Sequence, residues 1–344
     1  MPTVAQSQDL LRDGFGRTAR DLRISLTDRC NLRCNYCMPA EGLTWLPTPS
    51  VLTDDEVIRL ITVAVERLGV RELRFTGGEP LLRGGLAGIL AAAAALRTDA
   101  NVAPELSLTT NGLGLDKRID ELAAAGLQRV NISLDSLDRE RYATLARRDR
   151  LDDVLRSLAA VDAAGLRPIK VNTVVMRGVN EVDVVCLAEF CLQRGYRLRF
   201  IEQMPLGPRH GWDVRQLVSG SEILARLRGH FDLAVAGQRG AAPAEDWLVA
   251  AADCHPAGRI GVIASVTAPF CGACDRTRLT ADGQVRNCLF SRTETDLRTE
   301  LRAGASDEEL AVLWRGAHLD KAAGHGIGTA GFEQPARTMS AIGG

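Results

Sequence analysis

Cys30, Cys34 and Cys37 lie in the stretch Cys30-Asn31-Leu32-Arg33-Cys34-Asn35-Tyr36-Cys37, a C-x3-C-x2-C triplet just after a run of strand-forming residues. Nothing else constrains the chain as much, because three thiols, and only three, share one tight loop. A closed structural zinc site wants four ligands, and iron–sulfur clusters are normally held by four cysteine thiolates. Three thiolates on a four-iron cluster would leave one iron open to a small molecule. None of the five histidines, His210, His230, His255, His318 and His325, is near enough in sequence to complete a zinc site. A zinc loop, or three unrelated buried cysteines, is the alternative.

A second triplet, Cys271-Gly272-Ala273-Cys274 followed by Cys288, has the spacing C-x2-C-x13-C and again lacks a fourth cysteine. Two incomplete sites argue for two open-iron clusters, since a single zinc arrangement of all six would strand two thiolates. Cys186, Cys191 and Cys254 have no ligand-like spacing and read as small buried hydrophobes. Nine cysteines in a chain whose first 20 residues hold no apolar run of signal length fit metal binding better than a disulfide framework. A cytoplasmic metalloprotein is expected. A zinc-stabilised nucleic-acid binder would need a basic stripe and aromatic platforms. The formal net charge of −1, with four Trp, three Tyr and eight Phe, argues against that, and no nucleic acid or membrane partner is expected.

Six β-rich segments recur: Leu22–Thr27, Leu73–Thr76, Leu106–Thr109, Val130–Asp135, Ile169–Met176 and Leu198–Met204. Helical patterns alternate with them. Thr53-Asp54-Asp55-Glu56 reads as a capping box opening a helix that runs to Leu68 and stops at Gly69. Others span Leu86–Leu96, Ile119–Ala125, Leu151–Ala164 and Val182–Arg194. Strands alternating with helices of this length indicate βαβ units and a parallel sheet. Six units fall short of the eight in a full barrel, so the expected fold is α/β, a partial (βα)6 TIM-like barrel. After about Gly207 the pattern changes to Ser221–Leu227, glycine- and proline-punctuated segments, a helix at Asp307–Trp314 and a glycine-rich tail. The expected division is an N-terminal extension (1–20), the partial barrel (21–207), and a cluster-binding region (208–344) that closes the barrel and brings the second triplet toward the first.

Alternate residues of a strand share a face. Arg23, Arg74, Lys170 and Arg199 each sit between apolar neighbours, so the apolar set faces the helices and the cations face the interior. Interior cations are costly unless paired. Salt bridges to Glu79 or Glu202 are one reading; a pocket for a polyanion such as a nucleoside triphosphate is the other. Arg276 and Arg278, after the second triplet's first pair, look like further substrate contacts. Thr76-Gly77-Gly78-Glu79-Pro80 ends the second strand, where glycines would admit a ligand close to the backbone.

The first triplet resembles that of the radical S-adenosylmethionine superfamily. Both triplets, TGGEP, Thr109-Thr110-Asn111-Gly112, Asn131-Ile132-Ser133-Leu134-Asp135, Arg199-Phe200-Ile201-Glu202 and the terminal Ile342-Gly343-Gly344 stand in one order that closely resembles the GTP 3′,8-cyclase family, from about Gly16 to the last residue. The resemblance implies a [4Fe–4S] cluster on Cys30, Cys34 and Cys37 that chelates S-adenosylmethionine, with Tyr36, Gly78, Ser133 and Met204 contacting that cofactor. It implies a second [4Fe–4S] cluster on Cys271, Cys274 and Cys288, facing the guanine of GTP. Arg23, Arg74, Thr109, Lys170 and Arg199 would surround GTP, with Arg276, Arg278, Gly343 and Gly344 at the reacting centre. Glu72 departs from the family, which often has a basic residue there.

The implied reaction is the radical cyclisation of GTP that opens molybdenum cofactor biosynthesis. Cleaved S-adenosylmethionine gives a 5′-deoxyadenosyl radical, which takes the 3′ hydrogen of GTP. The ribose radical attacks C8, and an electron and a proton complete the ring. Implied partners are a reductant such as flavodoxin or ferredoxin and a next-step enzyme, the protein itself being a monomer or homodimer. The alternative is another radical enzyme with an auxiliary cluster, such as a peptide-modifying one.

Overall fold

Six parallel strands form the centre of one sheet: β1 (Asp21–Ser25), β2 (Glu72–Thr76), β3 (Glu105–Thr110), β4 (Arg129–Ser133), β5 (Ile169–Val175) and β6 (Arg197–Glu202). The computed structural model describes residues 10–208 and 212–343, so Gly344 and residues 1–9 of the expected extension lie outside it. Alternation makes these strands. In β5 the residues Ile169, Val171, Thr173 and Val175 are buried, while those between them are half-buried on the other face. The helices are α1 (Asp54–Thr62), α2 (Leu86–Ala95), α3 (Ile119–Ala124), α4 (Arg139–Ala146), α5 (Leu151–Ala163), α6 (Val184–Gln193), α7 (Gly220–Arg228), α8 (Leu297–Arg302), α9 (Asp307–Leu319) and α10 (Met339–Ile342). Among the described residues no helix is long and apolar enough to cross a membrane.

The capping box at α1 is present in both directions, Thr53 N–H to Glu56 Oε2 at 2.8 Å and Glu56 N–H to Thr53 Oγ1 at 3.2 Å. The helix leaves α geometry earlier than its pattern predicts, because Val63–Arg67 forms a wider turn. Val63, Ala64 and Val65 are all buried, and a wider turn narrows the arc over which three consecutive side chains point.

The remaining strands extend both edges. β7 (Leu233–Val235), β8 (Glu245–Val249) and β9 (Gly258–Ile263) join at β6, with β9 parallel to it; β10 (Arg276–Leu279), β11 (Gln284–Arg286) and β12 (Thr295–Asp296) join at β1, with β10 parallel to it. The result is an open twelve-stranded α/β sheet among the described residues, with β12 and β7 at its ends. The apolar face of the central strands packs against the helices in one core around Leu22, Ile24, Phe75, Val171 and Phe200. A second apolar cluster, Leu206, Phe290, Ile327 and Ile342, lies beneath the tail. Of the three cysteines outside the triplets only Cys191 is buried. Cys186 and Cys254 are exposed, a correction to the expected buried hydrophobes; Cys254 lies in the loop between β8 and β9, where its carbonyl accepts from Gln193 at the end of α6.

Candidate active site

Register determines what the inner face can do. Arg278 lies opposite Arg23, Arg23 opposite Arg74, and Arg74 opposite Ser107. Like charges directly opposite each other destabilise a sheet, so this row costs the fold stability. Asp21, itself buried, stands 3.9 Å from Arg23, 3.5 Å from Arg74 and 3.7 Å from Arg276. Asp21 thus stands among three guanidinium groups, Arg276 having Asp275 at 3.7 Å as well, and the buried Nε atoms of all three lack a hydrogen-bond partner among the described residues. Burial and Arg74 push Arg23 well below its ordinary range, burial and Arg74 bring Arg199 to about 9, and burial brings Arg278 to about 10. Arg199 is oriented by Asn172 Oδ1 at 2.9 Å and Asn131 Oδ1 at 2.8 Å, and Asn131 in turn donates to the Thr109 hydroxyl at 3.1 Å.

The salt-bridge reading of these cations fails at its named partners. Glu79, fully buried, accepts from the Thr110 hydroxyl at 2.6 Å and from the N–H groups of Asn111 and Leu81 at 2.8 and 3.0 Å. Burial still raises its carboxyl to about 7. Glu202 accepts from Gly220, Val266 and Thr267 N–H at 2.6, 2.8 and 2.9 Å. Both carboxylates tie backbone segments together, and neither meets a cation among the described residues.

The loop holding the first triplet is stitched to the end of α4. Arg33 N–H donates to Ala146 O at 3.2 Å, Asn35 N–H to Leu145 O at 3.0 Å, and Cys37 N–H to Cys34 O at 2.9 Å. Leu32 N–H and the Asn111 amide reach the Cys30 sulfur at 3.5 and 3.8 Å. Tyr36 donates to Asp135 at 2.8 Å. Burial raises Cys37 to about 12; burial and Asp135 raise Cys34 well above the usual thiol range, and burial with Glu79 raises Cys30. Such thiols ionise readily only beside a metal. The glycines of TGGEP have a local reason. A Cβ at Gly77 would stand 2.4 Å from Thr27 O, and one at Gly78 2.3 Å from Arg29 O. They let β2 run on against the start of the cysteine loop, with Gly78 N–H to Thr27 O at 2.7 Å.

At the second triplet, Cys274 accepts from Lys321 Nζ at 3.5 Å and from Arg276 Nη1 at 3.7 Å. Burial would raise this thiol, but Lys321 and Arg276 bring it below its ordinary value. Arg276 also stacks 4.8 Å from the Phe270 ring centroid. All six triplet cysteines are free thiols. No group of three His, Cys, Asp or Glu among the described residues is arranged for a single metal ion, the geometry a zinc loop would need.

One cavity of about 300 Å³ joins these features. It is lined by both triplets, by Arg23, Arg74, Thr109, Arg199, Arg276 and Arg278, and by Tyr36, Gly78, Ser133 and Met204. Lys170 does not line it. It sits opposite Asn131 in register, without a hydrogen bond or ion pair among the described residues, and burial and Arg199 lower its ammonium to about 7. Glu72, opposite Asp21, faces Arg129 at 3.5 Å rather than the cavity. The tail also lines the cavity, through Met339 and Ser340. The Ser340 backbone partly offsets the burial that raises Cys37, and Gly343 O accepts from Arg278. Gly343 has φ +81°, and a Cβ there would lie 2.9 Å from Thr76 Cγ2. Gly344 lies outside the described residues. Asp21, Asn131, Asn111 and Lys321 are the site residues that sequence reasoning missed. Asp21 and Asn131 share inward strand positions with residues that were found, while Lys321 carries no pattern.

Residues 24–191 match the Radical SAM superfamily model, and residues 196–327 match Molybdenum Cofactor Synthesis C. The chain is 63% identical to GTP 3′,8-cyclase of Corynebacterium glutamicum, over 99% of this chain and 91% of the relative. It is 58% identical to that of Mycobacterium marinum, over 97% and 92%, and 57% identical to that of Streptomyces coelicolor, over 97% and 96%. Streptococcus suis SuiB bound to S-adenosylmethionine superposes with a TM-score of 0.59 at 13% identity, over 89% of this chain and 67% of that one. Native anSMEcpe with bound AdoMet gives 0.50 at 18% identity, over 61% and 60%. At such identities the two structures speak for the fold alone.

Proposed function

The chain belongs to the GTP 3′,8-cyclase family, and on that premise we propose how its cavity carries out the family's reaction. The protein converts GTP to (8S)-3′,8-cyclo-7,8-dihydroguanosine 5′-triphosphate, the first step of molybdenum cofactor biosynthesis, using S-adenosylmethionine and two [4Fe–4S] clusters. When bound, these cofactors supply the one-electron chemistry and the carbon radical that takes the ribose 3′ hydrogen. Cys30, Cys34 and Cys37 hold one cluster and Cys271, Cys274 and Cys288 the other. The free state of all six thiols and their convergence on one cavity support this.

The observation that carries the substrate site is the row Arg278–Arg23–Arg74, with Asp21 as the one carboxylate in ion-pair reach of it among the described residues. The unpartnered N–H groups of Arg23, Arg74 and Arg276 donate to phosphate oxygens, while Lys170 and Arg199 add charge from the neighbouring strands. The Thr109 hydroxyl is free to donate, since Asn131 already donates to it. Tyr36, Gly78, Ser133 and Met204 seat S-adenosylmethionine on the first-triplet side. Gly343 and Arg278 position the guanine and ribose, and Leu206, Phe290, Ile327 and Ile342 keep water out. Residues 21–207 act as a partial (βα)6 barrel, and residues 208–344 cover its open side. The electron comes from a reductant such as flavodoxin or ferredoxin in the cytoplasm, and the product passes to a next-step enzyme.

Anaerobic incubation with S-adenosylmethionine, dithionite and GTP deuterated at C3′ tests this reading. The expected result is a new nucleotide isomeric with GTP and deuterium in 5′-deoxyadenosine. Unlabelled 5′-deoxyadenosine with unchanged GTP would refute it.

A further inference from the structure

Lys321 follows α9, is 3% exposed, and has no carboxylate within ion-pair distance among the described residues. Its ammonium reaches Arg276 O at 2.7 Å, Cys274 O at 3.3 Å and the Cys274 sulfur at 3.5 Å. An interior ammonium without a counter-ion is costly, and Cys274 is the one acceptor of the three able to carry a full negative charge. Arg17 fixes this arrangement. Its guanidinium, paired with Asp13 at 2.5 Å, donates to Cys271 O at 2.6 Å, Ala322 O at 2.6 Å and Ala323 O at 2.9 Å. The cysteine loop and the segment carrying Lys321 are therefore held together from a third piece of chain. His318, one turn earlier, is fully buried with neither ring nitrogen hydrogen-bonded among the described residues, and an imidazole, neutral or cationic, cannot offset the ammonium.

We infer that Lys321 is a positioning residue for the second cluster: its ammonium is counter-ion and N–H donor to the Cys274 thiolate, and it makes that cluster easier to reduce. The inference rests on the reading of Cys271, Cys274 and Cys288 as cluster ligands. Charge and hydrogen bonds at the sulfurs set cluster potentials, and a nearby positive charge favours the state with one more electron. Through the Arg276 carbonyl, Lys321 also fixes where β10 starts and so where the Arg276 side chain aims.

The test is a potentiometric titration, followed by electron paramagnetic resonance, of the full chain with Cys30, Cys34 and Cys37 replaced by alanine, so that only the second cluster remains. Lys321→Met and Lys321→Gln shift the midpoint to more negative potential. At fixed applied potential the reduced-to-oxidised ratio drops by about tenfold, on the scale of one charge a few ångströms away in a partly screened interior. Lys321→Arg titrates close to the parent. Three variants that all titrate with the parent, or an arginine variant that shifts as far as the methionine one, would overturn the role of charge. If Lys321→Met fails to assemble the cluster, Lys321→Gln, which keeps a donor, decides. A parent without iron and sulfide overturns the ligand reading and this inference with it.

Discussion

The two cysteine loops line one cavity and offer the same number of thiols, yet the charges that reach their sulfurs differ: carboxylates with Arg33 at the first, and Lys321 and Arg276 at Cys274 of the second. Glu79 and Asp135 flank the first loop, and its thiols are all pushed up by burial, Cys37 to about 12. Lys321, Arg276 and Arg17 flank the second, where Cys274 lies below its ordinary value despite burial. Cluster potential follows local charge and hydrogen bonding. The basic setting suits an anionic substrate. The tail bridges the two, with Ser340 at Cys37 and Gly343 at Arg278.

The largest effect should come from removing one thiol on either side. Cys34→Ser is expected to abolish 5′-deoxyadenosine formation. Cys274→Ser should keep part of that cleavage while losing the cyclised nucleotide, and chromatography of both products from each variant separates the cases. If Cys274→Ser also leaves the first site without iron, the two sides are not independent. Breaking the bridge comes next. Gly343→Ala forces a left-handed backbone and a Cβ into Thr76. It should lower product formation by about 100-fold, the scale of a misplacement near 1 Å, with iron content unchanged.

On the basic side, Arg74→Ala should weaken GTP binding by about 1.5–3 kcal/mol, the scale of hydrogen bonds to charged groups, while S-adenosylmethionine affinity stays put. Calorimetry with both ligands checks this. The smallest effect is in pH. Burial and nearby arginines lower Lys170 to about 7 in the free protein, and a bound triphosphate would raise it again. Binding then takes up a proton above pH 7, so affinity is complete below pH 7 and falls as pH rises. The loss is at most about tenfold per pH unit. Lys170→Arg should flatten that slope, and equal slopes in the two proteins would remove Lys170 from the site.

The central strands, the capped helix α1 and the inward cations were legible because alternation and capping act within a few residues. Register was not: that Arg278 meets Arg23 depends on β10 pairing with β1 across more than 250 residues, and that Arg23 meets Arg74 depends on β1 pairing with β2. Glu79 and Glu202 looked like counter-ions, but backbone N–H groups take them, and no local pattern announces such partners. The outer strands β7, β11 and β12 have two or three residues, too few for alternation to register. Gly77 and Gly78 have a second neighbour that no local pattern shows. Besides lining the cavity, they clear the chain's own backbone at Thr27 and Arg29.

Calorimetric titration of the anaerobic two-cluster protein with GTP, and separately with guanosine, tests most directly whether the arginine row around Asp21 receives a polyanion. The account predicts that guanosine binds at least about 100-fold more weakly, since charge-assisted bonds to the phosphates supply most of the affinity, and that added salt weakens GTP but not guanosine. Guanosine binding as tightly as GTP would contradict it.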